Sequence, residues 1–264
     1  MIKRTSKLFL EKTFSSNPSL KILDIGCGFN ANKFATTICD VQDLKSYYEG
    51  KNFIKLEKKE LPFKDKEFDF VIASHVMEHV EDIEFFIKEL ERVSYKGYIE
   101  LPTKLEDNLV FENKKDHLWH MDFDDVSFEL VISKKIQYFE PILTVSSIKK
   151  FDEIFRKSLI IELFWENKID HRFENIDEKA YNKISLFQLL RKYFSKKIQF
   201  FEPILTVSMI QKLRKNFRNS FVLELYWESK IDHEFVEIDT DQERFSLLTL
   251  LRKFLSKKIR SIFN

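Results

Sequence analysis

The 264 residues carry 44 basic against 43 acidic side chains, a formal net charge of +1, so no global field holds nucleic acid or an anionic membrane by charge alone. Four glycines and five prolines beside 28 phenylalanines favour packed elements over flexible linkers and argue against disorder. No window approaches membrane-spanning length, Lys3, Arg4, Lys7, Glu11 and Lys12 interrupt any signal-peptide core, and Cys27 and Cys39 lack metal-type spacing and suit a reducing cytoplasm.

In chain order, residues 8–14 read as a short helix that stops before Asn17-Pro18. Apolar runs at 21–25, 36–40, 53–56, 68–74 and 97–101 read as strands, and their alternation with polar or helical stretches is the pattern of parallel strands joined by crossovers. A helix fits 83–93, where Phe86, Leu90 and Val93 recur at helical spacing and charged residues take the other face. The second half holds a tandem repeat. Residues 133–148 read SKKIQYFEPILTVSSI and residues 195–210 read SKKIQFFEPILTVSMI; ELFWENKIDHRF from Glu162 answers ELYWESKIDHEF from Glu224. Two copies are too few for a solenoid, so the repeat is a duplicated terminal extension. Each copy has an apolar run, 159–165 or 221–227, and a basic amphipathic helix candidate at 189–197 or 247–263. We expect the 159–165 run to lie at a sheet edge beside 127–132, with one copy completing the sheet and the other packing outside it or mediating dimerisation. The basic helices are read as packing faces, with peripheral membrane contact the weaker alternative.

Ile22-Leu23-Asp24-Ile25-Gly26-Cys27-Gly28 is an apolar strand running into two glycines, with an acid two positions before the first. The glycines let the backbone turn sharply and approach a ligand that a Cβ would hold away. Asp40 closes the next strand, where a carboxylate can accept hydrogen bonds from both ribose hydroxyls of a nucleoside. Ala31 extends the pattern to GxGxxA, which raises a dinucleotide. Charge argues against it, because Asp24 would repel a pyrophosphate and attract the ammonium and sulfonium of S-adenosylmethionine. The 12 positions from Gly28 to Asp40 also fall short of the roughly 20 of dinucleotide fingerprints and predict an abbreviated first helix.

LDIGCG from Leu23, LPFKDKEFDFVIASHVMEHVED from Leu61 and GYIELPT from Gly97 resemble, in order, successive motifs of class I S-adenosylmethionine-dependent methyltransferases, the second block resembling the type 11 subgroup. The resemblance implies an α/β Rossmann-like fold with a mostly parallel, seven-stranded sheet and an antiparallel C-terminal strand, to which the duplicated extension is added. Residues 1–132 would be the cofactor-binding core, 133–194 the first repeat copy completing the sheet and 195–264 the second, appended copy. The cofactor would be S-adenosylmethionine. By position, Asp24, Gly26, Cys27 and Gly28 would surround its methionine portion, Asp40 its ribose and Glu57 its adenine, while Ser74 and His75 would face donor and acceptor.

His75 and His79, four apart, are candidates for a base that deprotonates an accepting hydroxyl or amine. His117, Trp119 and His120 are candidates for the acceptor's walls. Four histidines could hold a metal, but without a cysteine or an HExxH arrangement no metal is expected. His171 and His233 occupy equivalent places in the repeat, and neither is read as catalytic. The expected reaction is methyl transfer to an oxygen or nitrogen of a small-molecule or glycan-type acceptor. A nicotinamide-dependent oxidoreductase and a noncatalytic nucleotide-binding scaffold are the alternatives. Nucleic acid is not an expected acceptor, since Ser74-His75-Val76-Met77 stands where exocyclic-amine enzymes carry Asn or Asp, prolines and an aromatic. A homodimer through the repeats is a further expectation.

Overall fold

The computed structural model describes residues 1–138, 141 and 143–176. In chain order these give β1 (Ile2–Arg4), α1 (Lys7–Ser16), β2 (Ile22–Ile25), β3 (Thr37–Asp40), β4 (Asn52–Lys55) and β5 (Phe70–Ser74). A 3₁₀ turn (Met77–His79), α2 (Ile83–Val93), β6 (Lys96–Pro102), α3 (Lys104–Leu109) and α4 (Asn113–Asp116) follow. The described chain then runs through β7 (Trp119–Asp124), β8 (Glu129–Lys134), α5 (Val145–Leu159), β9 (Ile160–Glu166) and β10 (His171–Glu174). No helix among the described residues is long and apolar enough to cross a membrane.

Seven strands form one sheet in the order β1-β9-β6-β5-β2-β3-β4. β4, β3, β2, β5 and β6 are parallel, and β9 runs antiparallel to β6 and β1 on either side. β2 and β3 are buried at every position, as strands covered on both faces of a parallel sheet should be. One face packs Leu23, Ile25, Val71 and Ile99 against Ile83, Ile87 and Leu90 of α2. The other packs Ile22, Phe70, Ile72 and Tyr98 against Leu10 and Phe14 of α1. Both helices begin on a side-chain cap, Ser6 accepting from the Phe9 N–H and Asp82 from the Phe85 N–H.

The mostly parallel sheet and its antiparallel strand agree with the expected fold class, but two local expectations are corrected. The first crossover is built of turns, with no helix between β2 and β3. The 159–165 run does not lie beside 127–132: it becomes β9 and enters the main sheet, where all seven residues pair with β6 from Lys96↔Glu166 to Pro102↔Ile160. The strand that does pair with β8 is β10, parallel to it, in a smaller sheet of order β10-β8-β7. β9 goes inward because its apolar side chains are buried on both faces and match β6 in length. His171 opens β10, an edge strand. The second repeat copy, His233 and both basic helix candidates lie outside the described residues.

β9 also explains a glycine. A Cβ at Gly97 would stand 2.6 Å from Cε2 of the Trp165 indole, which is fully buried across the β6–β9 pairing. Gly97→Ala must displace that ring, so we expect a loss of about 1–3 kcal/mol in urea denaturation. Gly97→Ala combined with Trp165→Phe should lose less than the sum of the two single changes.

Candidate cofactor and acceptor site

The site begins at the carboxyl end of β2. Asp24 is 5% exposed, and its Oδ2 accepts the Asn32 N–H at 2.7 Å. Burial pushes its carboxyl up to about 6, only partly countered by that hydrogen bond and by Lys51 and Lys7. The chain then turns through Gly26 at φ 65°, where a Cβ would sit 2.5 Å from Val76 Cγ2, and Gly28 at φ 48°. Both features demand glycine at position 26. The Gly26 and Cys27 amides donate to the Cys39 carbonyl at 2.8 and 3.2 Å, which stitches the turn to β3.

Asp40, at the end of β3, accepts the Gly28 N–H on Oδ2 at 2.9 Å and the Gln42 N–H on Oδ1 at 2.8 Å. Each oxygen keeps a second lone pair. In place of a helix, an aromatic brace holds the loop. The Tyr48 hydroxyl donates to the Gly28 carbonyl at 2.8 Å and accepts the Ala31 N–H at 2.9 Å. Tyr47 meets Phe29 edge to face with centroids 5.2 Å apart. Cys27 is buried, and desolvation, followed by the nearby Asp24 and Asp40 charges, pushes its thiol up to about 12, so it stays a neutral wall. Glu57 lies beyond β4 with its side chain 76% exposed and 3.9 Å from Lys55 Nζ. None of its described contacts joins it to Asp24 or Asp40.

Ser74 ends β5, and His75 follows at φ 55°, its N–H held by the Glu100 carbonyl at 2.8 Å. The ring sits between two carboxylates, Nδ1 3.3 Å from Glu78 and Nε2 3.4 Å from Glu100. Burial alone would depress its pKa, but these two acids outweigh burial and raise it to about 10. Burial would conversely raise Glu100, yet His75, Tyr98 and Arg156 hold it near 2. Arg156 Nη2 bridges Glu100 Oε2 at 2.7 Å and Glu162 Oε1 at 3.1 Å.

The remaining candidates converge on the 3₁₀ turn. Leu118 N–H donates to the Glu78 carbonyl at 2.8 Å, and Trp119 Nε1–H donates to the Val80 carbonyl at 2.8 Å. These bonds clamp the 117–119 segment against the turn and set the His79 and His117 rings edge to face, 4.5 Å apart. His120 is elsewhere. It is 1% exposed, with Nε2 2.7 Å from the Ile136 carbonyl and Nδ1 2.7 Å from Asp107 Oδ2. That placement suits holding Asp107 better than lining a pocket. Asp107 is also met by His117 Nδ1 and by Lys135 Nζ, each 2.7 Å from Oδ1. Burial would raise its carboxyl, but the two histidines and Lys135 hold it far below the ordinary range.

Sequence reasoning passed over Glu78, Glu100, Asp107, Lys135 and Tyr48. For two of them a signal was present: Glu78 is an acid beside His79 in SHVMEH, and Glu100 interrupts the apolar GYIELP strand.

Residues 23–99 match the family model described as a methyltransferase domain. An uncharacterised protein of Methanocaldococcus jannaschii, MJ0638, is 29% identical over 179 residues, 63% of this chain and 78% of that protein. Among solved structures, YcgJ of Bacillus subtilis is similar at 18% identity and TM-score 0.31, over 36% of this chain and 49% of that one. The trans-methyltransferase CalH, solved in complex with SAH, is similar at 17% identity and TM-score 0.30, over 36% of this chain and 35% of that one. The chain thus spans half or less of those two structures. The Asp24 strand and its glycine turn lie inside the matched segment and the parallel sheet is built around it, so residues 23–99 are a methyltransferase-type domain.

Proposed function

We propose that the chain transfers a methyl group from S-adenosylmethionine to an oxygen or nitrogen of a small-molecule or glycan-type acceptor. One observation carries the reading: a desolvated carboxylate, Asp24, stands at the tip of the central strand above a turn that only glycine can make. The residues present fit the cofactor. A buried carboxylate with a raised pKa gains by meeting a cation, and the bare Gly26 backbone gives the ligand room. Asp24, Gly26, Cys27 and Gly28 would hold its methionine end and Asp40 its ribose. Glu57 is the adenine-side candidate from the solvent edge, and Ser74 stands at the junction with the acceptor. When bound, the cofactor supplies an activated methyl on a sulfonium.

The chain's own part is alignment and charge. Proximity and preorganised dipoles supply most of the acceleration in such a displacement, without a dedicated triad. His75, protonated at neutral pH between Glu78 and Glu100, places positive charge beside the acceptor. The base role read for the histidine pair therefore falls to His79, which is exposed, while His117 and Trp119 offer the acceptor its walls and His120 backs them through Asp107. The same reading puts the protein in the cytoplasm, treats 133–194 as the copy that completes the sheet, and takes 195–264 as an appended copy that packs outside it or mediates dimerisation.

The test is acceptor profiling with methyl-labelled S-adenosylmethionine, with Asp24→Ala as the inactive control. Label should pass to a hydroxyl- or amine-bearing sugar or other small molecule with the wild type only. Label transferred equally by both proteins, or to nucleic acid in preference, would refute the reading.

A further inference from the structure

We propose that Glu78, His79 and His117 form a binding site for a divalent transition-metal ion, Zn²⁺ foremost. One carboxylate oxygen of Glu78 and one ring nitrogen from each histidine all lie within 4.8 Å of one another. Metal–ligand bonds of 2.0–2.2 Å at tetrahedral angles need donors about 3.4 Å apart.

Three features separate this cluster from a chance meeting of polar side chains. First, Glu78 is 1% exposed, yet neither of its carboxylate oxygens accepts a hydrogen bond, although His75 Nδ1 stands 3.3 Å from Oε1. The His75 ring meets Oε1 as an ion pair alone, and the hydrogen bonds that ordinarily offset a buried carboxylate's lost hydration are missing from both oxygens. Second, both histidines are held from behind. His117 Nδ1 is 2.7 Å from the Asp107 carboxylate and His79 Nδ1 is 2.9 Å from the Asp116 carbonyl, which leaves each Nε2 as the free donor atom. A ligating histidine almost always gives its other N–H to a carboxylate or a backbone carbonyl in this way. Third, the two backbone segments are preassembled by the Leu118-to-Glu78 and Trp119-to-Val80 hydrogen bonds, so the donors are gathered before any ion arrives.

Two imidazoles and one carboxylate suit Zn²⁺ and leave a fourth position open, reachable from solvent past His79. The turn that carries Glu78 and His79 begins next to Val76, whose side chain abuts Gly26 of the cofactor loop. An acceptor oxygen or nitrogen could take the open position, and His79 would then serve it through the ion instead of as a base. Metal binding itself does not depend on the methyl-transfer reading, because it is measured with the metal alone.

The purified full-length protein, stripped with a chelator, is titrated with ZnCl₂ against a chromophoric competitor and separately with Co²⁺ for its visible absorption. One ion should bind per chain, with affinity falling at least tenfold in His79→Ala and in Glu78→Gln and unchanged in His171→Ala. The Co²⁺ band should fade with it. Circular dichroism checks the fold, and should Glu78→Gln unfold, the exposed His79 decides alone. No saturable binding to the wild type, or binding that His79→Ala leaves intact, overturns the proposal.

Discussion

Asp24→Asn will bind S-adenosylmethionine at least a hundredfold more weakly at pH 8, and yet the cofactor-free variant will melt several degrees above the wild type. The folded carboxyl titrates near 6, above the ordinary 3.8 of an aspartate. A group raised in this way adds stability below pH 3.8 and loses it as pH climbs through 6, so the ionised form costs on the order of 3 kcal/mol at pH 8. Asparagine keeps an oxygen for the Asn32 N–H and removes the buried charge, which shifts Tm upward by a few degrees per kcal/mol. A cationic ligand reverses the balance, because it favours the ionised form. Wild-type affinity should therefore rise with pH to about 6 and then level off, with proton release on binding below that point, while the variant shows a flat profile. Calorimetric titration from pH 5 to 8 reads all of this. Equal, pH-independent affinity in both proteins would disconnect Asp24 from the ligand.

Asp107→Ala will cost about 3–5 kcal/mol in urea denaturation, the range for removing one partner of a buried ion pair. Asp107 is 1% exposed and Lys135 keeps 8% of its side-chain surface, so loss of the carboxylate strands a buried ammonium, leaves His117 Nδ1 without its acceptor and removes the charge 2.7 Å from His120 Nδ1. Lys135→Met in the same background should restore 1 kcal/mol or more, because it removes the uncompensated charge. A single-variant loss under about 1 kcal/mol would show that the four side chains are not energetically coupled.

What could be read in advance was what neighbours in the chain decide. The strand into Gly26-Cys27-Gly28, the acid two places before it and Asp40 at the next strand's end are all local patterns, and each lies within two residues of its expected place. The amphipathic 83–93 helix was legible for the same reason. The missing first helix was not, because the brace that replaces it comes from Tyr47 and Tyr48, some 20 residues downstream. Nor was β1, three residues whose strand character exists only through Phe164 and its neighbours. His75 shows the same limit in chemistry. Its ring alone suggested a base near neutral pH, but Glu78 on the following turn and Glu100 on the adjacent strand favour its charged form. The Asp107 knot unites a residue of α3, one of β7 and the two loop residues that follow α4 and β8, and only the folded chain brings its charges together.

β1, one edge of the main sheet, precedes every other strand of that sheet in the chain and is among the last to find its place. Ile2 sits opposite Trp165, so β1 must wait on the ribosome until β9 has emerged, and until then β6 offers an uncovered edge. Docking across so wide a span closes a large loop late, and the rate of that closure, more than the strength of the finished core, should govern how much newly made chain escapes self-association.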